Sequence, residues 1–366
     1  MSDETIQRLA LSFIDGLGPI RLRRLISAAH SLSALFSYTQ QSPLSGEGIN
    51  NWYLSEEKKT AALEKGYQEH RKMAQHDVQF TNFLDSDFPA ILNHYPDTPL
   101  NLFYRGTSLP DHRPSIGIVG TRKPSQRGID NTNYLVNSFK TSTLQFVSGL
   151  AYGIDVSMHQ ACVAQGLCNF AILGHGLHTI YPWVHRQTAS AISKNGALLT
   201  EYPIGTKPDR QHFPARNRII AALCDVLVVV ESKEKGGSII TAELANQYHK
   251  EVFAFPGRID DESSKGCNRL IKNHQAHLLQ DVKDIRYITG WAAPSEGNTQ
   301  ISLFDELNEN EERIITLFRA SKTLHIDQIQ QALGFEHSDL SSHLLSLEFK
   351  GIIRPLPGKS FTILKV

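Results

Sequence analysis

Five short segments between residues 120 and 243 are rich in hydroxyl, cationic or imidazole side chains, and four of them also carry glycine. They are 120–125 (GTRKPS), 148–155 (SGLAYGID), 174–177 (GHGL), 210–218 (RQHFPARNR) and 235–243 (KGGSIITAE). Glycine lets a turn bring backbone amides close to a ligand. A helix that starts just after such a turn aims further amides at an anion, and Arg and Lys add charge. The chemistry open to this set is phosphate binding. Other chemistries lack their residues. There is no GxxxxGK[ST], no GxGxxG opening the first helix, and no GxSxG elbow. His175, His178 and His185 have no HExxH or cysteine partner, so no metal is expected, and no cofactor or catalytic set is read from the sequence. Arg216 and Arg218 either reach the ligand or lie along their helix. Phe213 reads equally as an apolar staple ahead of Pro214 at the first helical position and as a stacking platform beside the arginines.

Elements that place these segments together follow from the hydrophobic pattern. Short apolar strands at 115–120, 145–148, 169–173, 197–200, 226–230 and 251–255 alternate with helices at 128–140, 155–165, 184–194, 214–224, 238–250 and 266–275. Such strands lack polar alternation, which predicts burial on both faces of a parallel sheet. The fold class expected is α/β, an extended Rossmann-like doubly wound parallel sheet. In such sheets ligands sit at the carboxyl ends of the strands, where these segments fall. Residues 1–84 read as a small helical module of SAM or helix-hairpin-helix type, with 15–19 (DGLGP) between helices 5–13 and 20–29 and a charged helix at 55–75. That hairpin reads first as a plain turn. Residues 85–290 form the Rossmann-like domain, 291–308 a polar linker, and 309–366 a winged helix with helices at 309–319, 326–333 and 338–350 and strands at 352–355 and 360–364.

The whole chain of 366 residues carries 37 Lys+Arg and 37 Asp+Glu, with 40% hydrophobic residues. That is too apolar for a disordered chain. No run of about 18 uncharged apolar residues predicts a membrane span, and no signal peptide is visible. Four cysteines without CxxC spacing (Cys162, Cys168, Cys224, Cys267) fit reduced thiols and a cytoplasmic location. Split by segment, the neutral balance disappears. Residues 1–104 hold 9 basic and 12 acidic side chains, 105–290 hold 21 and 15, and 291–366 hold 7 and 10. The phosphate-type loops therefore lie in a segment of net charge +6 between two of −3, which steers anions to the middle segment.

The strings SIGIVGTRKPS, VSGLAYGID, FPARNRIIAAL, KGGSIITAELA and FPGRIDDESSKGCNRLIKNHQA resemble the bacterial DNA-processing protein A family, DprA or Smf. The resemblance covers residues 85–290. It implies a protein without catalytic activity that binds single-stranded DNA without reading sequence, protects it in natural transformation and recombination, loads the RecA recombinase onto it, and forms a homodimer through the Rossmann-like domain. Carried over residue by residue, it places the strand-binding site at Arg122, at the loop Ser148, Gly149, Leu150 and Ala151, at Arg210, Phe213, Arg216 and Asn217, and at Lys235, Gly236, Gly237 and Ser238. In that arrangement Arg122, Arg210 and Lys235 would neutralise phosphates, Phe213 would stack on a base, and the glycines would let amides reach phosphate oxygens.

Two features point elsewhere. Residues 235–243 also faintly resemble the Gly-Gly…Thr…Glu loop of nucleotide phosphoribohydrolases, where Glu243 would stabilise an oxocarbenium ion or activate water. The third helix of the tail carries Asp339, Glu348 and only Lys350. A groove-reading helix is expected to be basic, so this wing is expected to bind duplex DNA poorly.

Overall fold

The computed structural model describes residues 3–46, 49–291, 308–320, 323–349, 352–356 and 359–363. The chain divides into two compact units, residues 1–294 and 295–366. The expected linker at 291–308 lies outside the described residues except for its two ends.

The first unit opens with α1 (Asp3–Ala10), a 3-10 turn (Leu11–Phe13), α2 (Pro19–Ala29) and α3 (Leu32–Leu35). A small hairpin of β1 (Leu44–Gly46) and β2 (Ile49–Trp52) leads into α4 (Glu56–Gln75). Pro19 starts α2 where a missing N–H costs nothing. The Ser55 hydroxyl accepts from the Lys58 amide and caps α4. Leu22, Leu25, Leu32, Leu35 and Ala62 close these helices over a core of their own.

A nine-stranded sheet follows. Its strands are β3 (Gln79–Asn82), β4 (Asn101–Gly106), β5 (Ser115–Val119), β6 (Gln145–Ser148), β7 (Asn169–Ile172), β8 (Gly196–Thr200), β9 (Val226–Val229), β10 (Glu251–Ala254) and β11 (His277–Leu278). They lie in the order β11-β10-β9-β5-β6-β7-β8-β4-β3. The seven strands from β11 to β8 are parallel, and β4 and β3 extend the sheet antiparallel. Every residue of β5 to β9 is buried, as the unbroken apolar runs require. Helices α5 (Gln126–Ser138), α6 (Ile154–Ala164) and α11 (Val282–Thr289) pack through Leu135, Met158 and Ile285 into one core. The helices α8 (His212–Leu223), α9 (Gly237–Gln247) and α10 (Lys265–Lys272) pack through Ile219, Ala242 and Leu270 into another. The short α7 (Arg186–Ile192) follows a 3-10 turn, Trp183–His185.

Strand β5 is where the order reverses. The chain steps outward from β5 through β6, β7 and β8, then returns to place β9 on the other side of β5. The connections leaving β5 and β9 diverge, and that opens a crevice at their carboxyl ends.

Some local readings differ from the structure. Strand β3 falls within residues 1–84 yet pairs with β4 in the large sheet. Both strands are short and partly polar, and the prolines around them mask their pattern. Helix α8 begins at His212, so Pro214 is its third residue rather than its first. A proline is tolerated throughout that first turn, because those amides have no intrahelical acceptor. The helix expected at 184–194 is broken into the 3-10 turn and α7.

The second unit holds α12 (Glu309–Ala320), β12 (Thr323–His325), α13 (Ile326–Leu333), α14 (His337–Phe349), β13 (Ile353–Leu356) and β14 (Ser360–Ile363). The antiparallel sheet runs β12-β14-β13, with β12 a strand that the sequence reading lacked. Ile314, Phe318, Ile329, Leu340, Leu344 and Ile353 form its core. Among the described residues no helix is long and apolar enough to cross a membrane.

Candidate nucleic-acid interface

The crevice at the ends of β5 and β9 is a cavity of about 680 Å³. Loops from four strand ends line it: Thr121 and Arg122 after β5, Ala151 and Asp155 after β6, Tyr181 after β7, and Ser232, Lys233 and Lys235 to Ser238 after β9. Arg210, Phe213, Arg216 and Asn217 close it from the start of α8. A second cavity of about 680 Å³ is lined by the start of α2 and the β1–β2 hairpin, with Asp97 and Arg218.

Two clamps fix the crevice. The Ser125 amide donates to Glu231 Oε2 at 2.9 Å, and the Ser125 hydroxyl donates to the same carboxylate. The Thr121 amide donates to the Glu231 carbonyl at 2.8 Å. The loop carrying Arg122 is thereby tied to the end of β9. The second clamp is Arg216, 4% exposed. Its Nη1 donates to the Gly149 carbonyl at 2.7 Å and to the Ile172 carbonyl, and its Nε donates to Asn217 Oδ1 at 3.1 Å. A methyl group at Gly149 would run into this guanidinium, so the glycine there serves the arginine. Burial pushes Arg216 down to about 10, against the opposing charge of Asp155 and with a further push from Arg122. Burial raises the Asp155 carboxyl above its ordinary value, opposed by Arg216.

The residues read from sequence thus fall into two sets. Arg122, Arg210, Phe213, Asn217, Lys235, Gly236, Gly237 and Ser238 line the cavity together, with Ala151 beside them. Arg122, Arg210 and Lys235 are exposed, and none makes an ion pair among the described residues. Ser148, Gly149 and Leu150 do not line it. The Ser148 hydroxyl donates to the Ile118 carbonyl at 2.6 Å, inside the sheet, and Leu150 is fully buried. Arg216 lines the floor with its donors directed to backbone carbonyls and Asn217.

Phe213 is half-buried and is the second residue of α8, so it is not a staple ahead of the helix. Its ring packs against Gly174 and also faces the cavity, with the Arg122 guanidinium 5.7 Å from its centroid. Tyr181 meets it at 5.9 Å. Helix α9 starts at Gly237 without a side-chain cap, and a Cβ there would meet nothing within 4 Å. The Ile239 amide donates back to the Gly236 carbonyl at 3.0 Å, so the amides left for an anion are those of Gly237 and Ser238. Lys233 and Tyr181 were missed by the sequence reading. Both lie beside segments already singled out, and the aromatic doublet Tyr181-Pro182-Trp183 was a usable signal.

The histidines are structural. His175 Nδ1 lies 3.0 Å from the Gly176 carbonyl, and His185 Nδ1 2.9 Å from the Leu150 carbonyl. Among the described residues no three His, Cys, Asp or Glu are grouped to hold a metal. Glu243 does not line the cavity; it faces outward, 3.9 Å from Arg269.

The family model for DNA recombination-mediator protein A matches residues 79–289. The chain belongs to this family. A second model, the DprA winged helix domain, matches residues 304–359. Along nearly its whole length the chain is similar to the protein Smf of Synechocystis, with 30% identity over 96% of this chain and 97% of that one. The fold is similar to DNA processing protein A from Streptococcus pneumoniae, with a TM-score of 0.64 and 29% identity over 78% of this chain and 98% of that one. It is also similar to DNA processing protein A from Helicobacter pylori, with a TM-score of 0.52 and 26% identity over 58% and 98%. That second structure is described as showing a single-stranded DNA binding mode. The family's Rossmann-like sheet and winged helix are both present in this chain.

Proposed function

We propose that this member of the family binds single-stranded DNA without sequence preference, protects it, and loads the RecA recombinase onto it in natural transformation or homologous recombination. The observation that carries the binding step is the cavity at the β5/β9 crevice. It brings four exposed cations, Arg122, Arg210, Lys233 and Lys235, around the face of Phe213 and the uncapped start of α9. Cations and amides take phosphates, and an aromatic face takes any base, so the site tolerates sequence. The Helicobacter relative's described binding mode supports the same ligand class. RecA loading and a homodimer through the Rossmann-like domain rest on family membership alone.

The binding step is tested by titrating the full chain with single-stranded oligonucleotides across a salt series. Each phosphate contact on a single strand contributes about 0.7 to the slope of log K against log salt. Replacing Arg122 or Lys235 by Ala is expected to lower affinity and reduce the slope by about that amount. Unchanged affinity and slope in both variants would refute the pocket. Glu243 lies outside the cavity, so Glu243→Gln is expected to leave strand binding unchanged.

A further inference from the structure

Two residues past Tyr181 along the chain stands an aromatic platform outside the pocket. Trp183 is 63% exposed, and Tyr181 48%. The Arg186 guanidinium lies 5.1 Å from the Trp183 ring centroid. A large apolar side chain left this open to water, under a cation, marks a contact surface rather than core.

The platform is held in place from beneath. Pro182 precedes the 3-10 turn Trp183–His185, which runs directly into α7. His185 points inward and donates through Nδ1 to the Leu150 carbonyl, 2.9 Å away, so the turn is pinned to the loop after β6. Tyr152 packs edge-on against the His185 ring at 5.1 Å. Alternate residues of the segment therefore have opposite roles: His185 anchors, while Trp183 projects. Two residues before Trp183, the Tyr181 ring meets Phe213 at 5.9 Å, inside the cavity. Two residues of chain span at most about 7 Å, so the backbone that carries the indole lies one short step from the backbone that carries Tyr181.

We propose that Trp183 and Arg186 form a second subsite for single-stranded nucleic acid, a base stacking on the indole and a phosphate pairing with the guanidinium as the strand leaves the cavity. This rests on the strand-binding reading of the cavity. Continuity of the aromatic series and the added positive charge favour a strand over a protein partner at this position.

The test uses the full chain and oligothymidylates of increasing length. Trp183→Ala is expected to weaken binding of long oligomers by roughly 5- to 150-fold, the effect of losing one base–aromatic stack. The shortest oligomer that the Arg122 and Lys235 cavity still holds should bind as before. Trp183→Phe should restore most of the affinity for long oligomers. Arg186→Ala should reduce the salt slope by about 0.7 for long oligomers only. The chain has three tryptophans, and the other two, Trp52 and Trp291, are half-buried. Strand addition should therefore quench emission in the wild type and lose most of that quenching in Trp183→Phe.

Quenching that persists in Trp183→Phe would overturn the proposal, as would wild-type affinity at every length in Trp183→Ala. So would a changed oligomeric mass with unchanged strand affinity, which would make the indole a protein contact. If the wild type binds no oligomer, the strand-binding reading itself fails. If it binds, and only the Arg122 and Lys235 variants weaken, the second subsite alone fails.

Discussion

Arg216 lies on the floor of the cavity, where a direct phosphate ligand and a buried support make opposite predictions. Replacing it by Met keeps the aliphatic stem and removes the guanidinium. The Gly149 carbonyl loses its 2.7 Å donor, the Ile172 carbonyl loses its own, and Asn217 Oδ1 loses a donor at 3.1 Å. Each buried acceptor left unpaired costs about 1–3 kcal/mol. Asp155 also loses the positive charge that opposes its desolvation. Breaking a buried charged arrangement from one side costs about 3–5 kcal/mol in total. That is a large share of the roughly 5–15 kcal/mol that holds a typical domain folded. Urea unfolding of Arg216→Met is expected to show a loss of this size. Adding Asp155→Asn should recover part of it, giving a coupling of about 0.5–3 kcal/mol in the double-mutant cycle. At a temperature where the variant is folded, the salt slope of strand binding should match the wild type. The support role is refuted if Arg216→Met stays within about 1 kcal/mol of wild-type stability while its slope falls by about 0.7.

Two glycines on the same crevice should respond differently to alanine. Gly149→Ala drives a methyl into the Arg216 guanidinium and should cost about 1–3 kcal/mol in a denaturant melt. Gly237→Ala meets open space, so the melt should stay within about 0.5 kcal/mol while strand affinity falls because the methyl crowds the amides of α9. His159 is fully buried, its Nδ1 2.9 Å from Asn169 Oδ1, and burial lowers it from 6.5 to about 4. The unfolded chain then takes up the extra proton as pH falls below about 6.5, so stability from this group is full above that pH and declines until about pH 4, by roughly 3 kcal/mol. Subtracting the stability–pH curve of His159→Gln from that of the wild type should expose this acid limb, and parallel curves would remove the assignment. Among the described residues the exposed face of α14 presents Ser338, Asp339, Ser342, Leu345 and Glu348 and no cation. A chain ending at residue 294 should therefore keep its duplex affinity unchanged, and a marked drop in gel-shift or anisotropy titrations would show that the tail binds duplex DNA.

The sheet was legible because five of its strands are buried on both faces, and such strands announce themselves as short apolar runs. Strands β3 and β4 lie at the antiparallel edge, with polar Gln79, Asn82 and Asn101, so no run marks them. Part of the cavity's lining was legible for a related reason. Ligands collect at strand ends, and Arg122, Arg210 and Lys235 sit in the loops there. Burial at those loops was not legible. The string FPARNR presents Arg216 and Arg218 alike, yet Arg216 turns beneath Gly149, whereas Arg218 donates to Glu201 at 2.5 Å. Nothing in residue type distinguishes a guanidinium that meets a ligand from one that meets the carbonyls of a loop and a strand end, because those carbonyls come together only through the fold. Gly149 looked like a ligand-side glycine for the same reason; what approaches it is Arg216.

Whole-chain neutrality, 37 basic against 37 acidic side chains, is compatible with an anion site because charge acts over short range in salt. At about 0.15 M ionic strength the Debye length is about 8 Å. A phosphate entering the crevice responds to the cations that line it far more than to the sum over the chain. Four of those cations are exposed and can follow a flexible strand, while Arg216 is fixed underneath. The buried charge is screened least, and it reaches Arg122, whose charge contributes to the lowering of Arg216. Arg216 therefore has a supporting place in the crevice: it ties the loop after β6 to the end of β7 through its own hydrogen bonds. A lysine there would keep the charge but not the fork of donors that bridges two carbonyls, so Arg216→Lys should lose stability much as Arg216→Met does.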